Sequence, residues 1–334
     1  MKCKSDYIGY AIICVVMGHV ISSYHETGLY KDNHLFNFTH QFVYSFHMAL
    51  FYIISGFLVA SGKKRCTKGK RVLQILINYG IPYVVFSAVW VVAKLLMAGH
   101  TNSAVTIKDL TLILVFPISF MWFIYALMLM QVIQVFLHSD NKAEKGLHLL
   151  AACGCYFLQP YLARVLTEFH FSDCIISDFL KNYVFFLLGV YVSEYAIKTM
   201  KNHRTIVLVL SGILLSTGNI AKYIDFVSCR FFAFILAIAG SIFVITLSII
   251  IREERALEYI GKHSLPIYVL QGIAIAASRL MITRLHMNIV YGVVPLIICT
   301  ITGCLLPLCA YWIITKIGKL EGCFYPGRYI KVMK

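Results

Sequence analysis

The chain has 334 residues, and 60% of them are apolar, compared with about 45–50% in soluble domains. Only 13% are charged, and 30 Lys and Arg against 15 acidic residues give a net charge of +15. This composition excludes a soluble enzyme, a disordered chain and a collagen-like chain. It indicates an integral membrane protein, because ten helical spans of about 20 residues would use about 200 apolar positions.

Ten transmembrane helices are predicted from the apolar runs that lie between clusters of charged and small polar residues. The first run resembles the apolar part of a signal peptide, but no small-residue cleavage site follows it, so a retained helix is predicted. Pro117 either ends a short lead-in before the fourth span or kinks one longer helix. The fold class is therefore an all-α polytopic bundle, predicted as one domain over residues 1–334. The predicted spans are 7–23, 44–62, 72–97, 119–137, 147–165, 182–197, 205–221, 231–251, 264–282 and 290–315.

The distribution of Lys and Arg predicts the orientation of the chain, because cytoplasmic loops retain these residues. With the N-terminus inside, 21 of the 30 basic residues fall on the cytoplasmic side, so both termini are predicted to be cytoplasmic. The positive charge is thus a signal of topology. Because the bases are scattered over separate short loops, no nucleic acid is expected as a partner.

The cysteines do not predict a metal site or a disulfide scaffold. Most of the 11 cysteines lie in apolar runs, where thiols behave as small hydrophobic side chains. Cys153 and Cys155 have no metal-binding residues near them in the sequence. Cys174 and Cys229 can both lie on the outer side, and two free thiols are favoured over a disulfide between them.

Two histidines stand out, because ionisable side chains inside a bilayer are costly and mark candidate functional sites. His19 lies within the first predicted span and His47 near the outer end of the second, whereas none of the 15 acidic residues lies in the middle of a span. Helix rise places the two histidines within about 8 Å of each other in depth. We expect both to face one cavity. The alternative is that each imidazole bonds a neighbouring carbonyl and contributes only to packing.

The segments around these histidines resemble the membrane-bound acyltransferase family 3. These segments are AIICVVMGH at 11–19 and HMALFYIISGF at 47–57. The family is a ten-span group that includes bacterial O-acetyltransferases acting on cell-surface sugars. In addition, MWFIYAL at 121–127 resembles its Trp-Phe segment, and KHSLPIYVLQ at 262–271 resembles its late Ser-x-x-x-Tyr stretch.

The chain departs from the family pattern at three positions. Ile8 stands where the family usually has a basic residue, Ala49 where proline is frequent, and Gln271 where a histidine often follows the late tyrosine. A catalytically impaired acyltransferase-like partner is therefore one alternative. A transporter or flippase of a glycan or lipid-linked precursor is another, although the sequence lacks the clear internal repeats that many transporters have.

The resemblance implies an O-acyltransferase in a bacterial cytoplasmic membrane, surrounded by lipid. Its donor would be acetyl-CoA, as a substrate with no bound cofactor, and its acceptor a hydroxyl of a surface polysaccharide or lipid-linked precursor. His19 is predicted as the general base, because imidazole has a pKa of about 6.5. His47 is predicted to orient the thioester carbonyl or to bond its oxyanion. A covalent acyl-histidine route is the alternative within this class.

Three further residues are predicted to bind substrate. Trp122 belongs to the Trp-Phe segment, while Tyr268 and Gln271 lie three residues apart and so share one helix face. The outer loop predicted at 24–43 has polar and aromatic residues that suit a sugar, but any outer loop near the lipid interface has a similar composition.

A basic loop at 63–71 is a candidate for binding the phosphates of coenzyme A. It begins with Lys63, Lys64 and Arg65 on the predicted cytoplasmic side. Phosphate groups favour Lys and Arg, but the rule that cytoplasmic loops are positive accounts for the same charges. Both interpretations stay open.

Overall fold

The computed structural model describes residues 3–28, 32–62, 66–96, 106–169, 171, 174–191, 193–251, 255–285 and 293–330. Every regular element among these residues is helical, which confirms the predicted all-α class. The α-helices are α1 Cys3–Glu26, α2 His34–Tyr44, α3 His47–Ser61, α4 Lys68–Ile75, α5 Ile81–Leu96, α6 Trp122–Leu137, α7 Lys142–Glu168, α8 Ile175–Tyr191, α9 Ser193–Asn202, α10 Arg204–Tyr223, α11 Arg230–Ile251, α12 Arg255–Lys262, α13 Ser264–Arg284 and α14 Val293–Lys316.

Within the described residues, nine helical segments are long and apolar enough to cross a membrane. The sixth predicted span, 182–197, falls instead on α8, which has 17 residues and begins at Ile175. At 1.5 Å per residue α8 is about 26 Å long, slightly less than the hydrocarbon core. The polytopic fold is confirmed, while the orientation of the termini stays a prediction. The nine segments are Asp6–Glu26, His34–Ser61, Lys68–Leu96, Ser119–Leu137, Lys142–Glu168, Arg204–Tyr223, Arg230–Ile251, Ser264–Arg284 and Val294–Lys316.

The chain divides into two compact units. The first unit contains Met1–Leu58 and Val192–Ile313, and the second contains Val59–Tyr191 and Ile314–Lys334. The prediction of a single domain over the whole chain stays a prediction. Cys174, in the second unit, and Cys229, in the first, are both free thiols.

In the second unit, α6 packs against α4 and against α8, and α7 packs against α8. A π-helix at Leu76–Gly80 joins α4 to α5. Before α6, a 3-10 helix at Ile107–Leu112 ends ahead of Pro117, and a second one at Ser119–Met121 leads into the span. Pro117 therefore ends a short lead-in, which was the first of the two predicted alternatives.

In the first unit, α2 replaces most of the outer loop that was predicted at 24–43. The side chain of Asn33 caps α2 by accepting a hydrogen bond from the backbone N–H of Phe36. The Phe36 ring, near the start of α2, packs edge-on against Tyr24, and Tyr44, at its end, bonds Ser22. Gly18 of α1 also approaches Val43, and His25 stacks on His40, so α2 runs antiparallel beside the C-terminal part of α1. The loop prediction was wrong because the apolar face of α2 finds a surface to pack on.

Helix α1 is the element around which the first unit packs, and it contacts α2, α11, α12 and α13. Two contacts define its direction relative to α13. Val16 and Ile275 meet at Gly303 of α14, and Arg279 donates a 2.5 Å hydrogen bond to the carbonyl of Ser23. The second contact involves later residues than the first in both helices, Ser23 after Val16 and Arg279 after Ile275. The helices α1 and α13 therefore run parallel.

Candidate active site

His47 begins α3, and its hydrogen bonding determines which ring nitrogen can react. The side chain is 2% exposed, and its Nδ1 donates a 2.9 Å hydrogen bond to the carbonyl of Val43. A carbonyl oxygen only accepts hydrogen bonds, so Nδ1 carries the hydrogen and Nε2 of the neutral ring carries a lone pair. The alternative given above, in which the imidazole bonds a neighbouring carbonyl, therefore describes Nδ1.

The Nε2 atom of His47 faces α1 at Gly18. A methyl group at position 18 would lie 3.5 Å from this nitrogen and 3.6 Å from the side chain of Val43. His19 follows Gly18 in the chain, so both histidines lie at nearly the same level of the bundle, as predicted from helix rise.

The His19 side chain leaves α1 on a face adjoining the one that meets His47, because successive residues of an α-helix are rotated by about 100°. Val16, three residues earlier, contacts Gly303 of α14, and the carbonyl of Ser23, four residues later, is bonded by Arg279 of α13. His19 lies between Val16 and Ser23 on the same face of α1. The two histidines therefore approach one level from adjoining sides of α1, His47 from α3 and His19 toward α13 and α14.

Tyr268 and Gln271 lie on the face of α13 that packs inside the first unit. With Ile275, Arg279 and Ile282 they form a buried stripe at spacings of three and four residues. Because Ile275 and Arg279 of this stripe meet α1 and α14, Tyr268 and Gln271 continue the same face toward the N-terminal end of α13. The first unit thus holds four of the residues that were predicted from sequence.

The other predicted binding residues are Trp122 and three basic residues of the loop at 63–71. Trp122 begins α6 in the second unit, where its ring packs edge-on against Phe123 at 6.3 Å. Lys63, Lys64 and Arg65 lie outside the described residues. Within the described residues, no group of three or more His, Cys, Asp or Glu side chains is placed to hold a metal ion.

Arg279 is a candidate that the sequence reasoning missed. It is 9% exposed, and its guanidinium lies about 6 Å farther along the bundle axis than His19, in the direction of the C-terminal end of α1. A buried guanidinium carries five N–H donors and a permanent charge, so it can bond a polar substrate or a developing oxyanion. The signal was present in the sequence, since a basic residue within the span 264–282 meets the same criterion that selected the histidines.

A second missed feature is a polar network that leads from His47 toward the C-terminal end of α1. The Tyr44 ring packs edge-on against His47 at 4.6 Å and tilted against His40 at 4.3 Å. The Ser22 hydroxyl lies 2.5 Å from the Tyr44 hydroxyl and 3.4 Å from Nε2 of His40. His40 then stacks on exposed His25, with ring centres 5.6 Å apart. The helical form of α2 creates this network, and sequence alone could not predict it.

These helices and histidines define a polytopic membrane protein with a polar site inside the first unit. A family model described as an acyltransferase domain, that of acyltransferase family 3, matches residues 9–312, and the chain belongs to this family. The resemblance seen in the histidine segments is confirmed, and the family supports an acyltransferase. No curated protein and no solved structure matches the chain.

Proposed function

We propose that the chain is an O-acyltransferase of a bacterial cytoplasmic membrane. It transfers an acetyl group from acetyl-CoA to a hydroxyl of a surface polysaccharide or of its lipid-linked precursor. The observation that carries this proposal is the Nε2 atom of His47, which bears a lone pair and faces α1 beside His19. A hydroxyl group becomes a good nucleophile when a positioned base removes its proton during attack, and imidazole suits that task.

The proposed reaction needs one proton acceptor and one group that stabilises negative charge. The base takes the proton from the acceptor hydroxyl while the hydroxyl oxygen attacks the thioester carbonyl, whose oxygen becomes an oxyanion. The carbon–sulfur bond then breaks, and the thiolate of coenzyme A takes the proton from the imidazolium. The products are the acetyl ester and the free thiol, so no other reactant is required.

Two assignments of the histidines fit this scheme. In the first, His19 is the general base and His47 bonds the carbonyl oxygen, which requires a proton on both ring nitrogens of His47. In the second, His47 is the base through Nε2 and His19 bonds the carbonyl oxygen. The hydrogen bond from Nδ1 to Val43 favours the second assignment for a neutral ring. A covalent acyl-histidine intermediate remains the alternative route.

The phosphates of the donor are proposed to bind the basic loop on the predicted cytoplasmic side. The described part of this loop leads into α4, where Thr67 accepts a hydrogen bond from the backbone N–H of Lys70. Neutralising Lys63, Lys64 and Arg65 should raise the KM for acetyl-CoA and leave kcat nearly unchanged. An unchanged KM would reject the loop as a phosphate site.

The test is the transfer of labelled acetyl from acetyl-CoA to surface polysaccharide in membranes. His19→Ala and His47→Ala are compared with the unaltered chain and with His138→Ala, whose side chain is 60% exposed. Loss of a general base should lower the rate about 10²- to 10⁴-fold, whereas His138→Ala should retain full transfer. Measuring the protein amount and thermal unfolding of each variant in detergent separates lost chemistry from lost folding.

Two results would overturn this proposal. Equal transfer by the unaltered chain and both histidine variants would remove these residues from the chemistry. Net movement of unmodified glycan across the membrane, without acetyl transfer, would favour the transporter alternative. Acetyl analysis of the polysaccharide from cells with and without the chain identifies the acceptor.

A further inference from the structure

Gln271 is a fully buried amide that has no hydrogen-bonding partner in the part of the chain that the structure describes. Its side chain is 0% exposed, and neither its Nε2 nor its Oε1 makes a hydrogen bond to protein within the described residues. Leaving a buried donor or acceptor unpaired costs about 1–3 kcal/mol for each group. Native proteins rarely accept that cost without a functional reason, such as a ligand that completes the pairing.

The unpaired amide points to a ligand that carries an amide of its own. A glutamine side chain offers one acceptor oxygen and an NH₂ donor side by side. A trans secondary amide carries an N–H and a C=O on opposite sides, so it makes one hydrogen bond to Gln271: its N–H donates to Oε1, or its carbonyl accepts from Nε2. Apolar substrates cannot do this, and a carboxylate or phosphate would leave the Gln271 oxygen unpaired.

The position of Gln271 along the bundle can be worked out from its neighbours. Ile275, four residues later on the same face of α13, meets Val16 of α1 at Gly303. Gln271 is therefore about 6 Å from that contact toward the N-terminal end of the parallel helices, while His19 is about 4.5 Å from it in the opposite direction. The amide lies about 10 Å from the histidine level, on the side predicted to be cytoplasmic.

This separation matches one particular group of the proposed donor, so the inference rests on the proposed function. In acetyl-CoA, eight bonds separate the thioester carbonyl carbon from the nitrogen of the second pantetheine amide, which joins the β-alanine and pantoate units. An extended chain advances about 1.2 Å per bond, which gives about 10 Å. The first amide, four bonds from the same carbon, falls about 5 Å short of Gln271.

We propose that Gln271 binds the second amide of the pantetheine arm of acyl-CoA and so holds the thioester at the histidine level. Gln271 is a binding and positioning residue in this scheme. The arm enters from the N-terminal end of α13 and passes Gln271 on its way to the histidine level.

The experiment compares three acetyl donors that differ in the length of the arm: acetyl-CoA, S-acetylpantetheine and S-acetyl-N-acetylcysteamine. Only the last one ends after the first amide. Gln271→Met removes both hydrogen-bonding groups at similar volume. It should raise the KM for acetyl-CoA and S-acetylpantetheine about threefold to tenfold, the cost of one lost hydrogen bond, and leave the KM for the short donor unchanged. Gln271→Asn, which keeps the amide but withdraws it by one methylene, should show a smaller rise.

Thermal unfolding without donor gives a second readout that a structural glutamine would not share. Gln271→Met should unfold at the same or a higher temperature than the unaltered chain, since it removes an unpaired buried amide. The matched control is Gln159→Met in α7, where the amide donates a 2.8 Å hydrogen bond to the Ser177 hydroxyl. That variant should unfold at a lower temperature and keep the KM values of all three donors.

The outcomes separate this inference from the proposed function. An equal rise in KM for all three donors, or a clear loss of stability in both Gln271 variants, would overturn the inference and leave acyl transfer in place. If the unaltered chain neither binds coenzyme A nor uses any of the three donors, the proposed donor is wrong and the inference falls with it.

Discussion

Gly18→Ala tests whether the side of His47 that faces α1 is the reacting side. The added methyl group would lie 3.5 Å from Nε2 of His47 and 3.5 Å from the Tyr44 ring, which are ordinary contact distances. The helix itself should tolerate the change, since Ala in a helix interior is more stable than Gly by about 0.5–1 kcal/mol. The methyl group would nevertheless occupy the space in front of Nε2.

The expected effect on activity follows from the reach of a proton acceptor. A reacting hydroxyl has to approach the nitrogen to about 2.6–3.2 Å, which a carbon at 3.5 Å prevents from that side. We expect acetyl transfer to fall about 10²-fold or more, while the unfolding temperature stays the same or rises by a few degrees. Both assignments of the histidines predict this loss, because each uses Nε2 of His47 while Nδ1 bonds the Val43 carbonyl.

The assay is acetyl transfer in membranes, paired with thermal unfolding in detergent. Gly154→Ala in α7 is the matched control, because a Cβ there meets nothing within 4 Å and the change affects helix propensity alone. It should raise stability slightly and leave transfer unchanged. If Gly18→Ala is as active as the control, the reasoning about Nε2 is refuted.

Three further predictions follow from the packing of the first unit. Gly9→Ala should lower the free energy of unfolding by about 1–3 kcal/mol, because its Cβ would overlap the backbone carbonyl of Leu257 in α12; an unchanged unfolding temperature would contradict this packing. Arg279→Met should lower the free energy of unfolding by about 1–3 kcal/mol, because the Ser23 carbonyl loses a charged donor. Arg279→Lys should recover part of that free energy when its unfolding is measured in the same way. Tyr44→Phe keeps the ring against His47 and removes the bond to Ser22, so acetyl transfer should be higher in it than in Tyr44→Ala; equal rates would show that the ring does not position the histidine.

The membrane fold was predictable from residue patterns because a bilayer restricts what a spanning segment can be. Apolar runs of sufficient length must be helical there, since lipid cannot hydrogen-bond the backbone. The predicted spans 119–137, 231–251 and 264–282 agree closely with the described helices. The prediction was wrong at α2 because that helix is amphipathic, and its polar residues resemble those of a loop.

The candidate site was predictable in its two histidines and, through the family resemblance, in Tyr268 and Gln271. His19 and His47 were found because an ionisable group in an apolar run is conspicuous in any sequence. Arg279 satisfies the same criterion, but it lies close to the end of its span, where basic side chains can reach the membrane interface. Tyr44, Ser22 and His40 gave no such signal, since hydroxyl groups and histidines are common near the membrane interface.

Composition and periodicity by themselves determined that this chain crosses a bilayer many times, that it is helical and that it carries two histidines within membrane-spanning segments. Tertiary structure alone decided that Nδ1 of His47 bonds the Val43 carbonyl and that the buried Gln271 amide has no partner among the described residues. The physical reason is that helix formation in a membrane depends on local sequence. The partner of a polar side chain depends on how each helix is rotated and which neighbour packs against it.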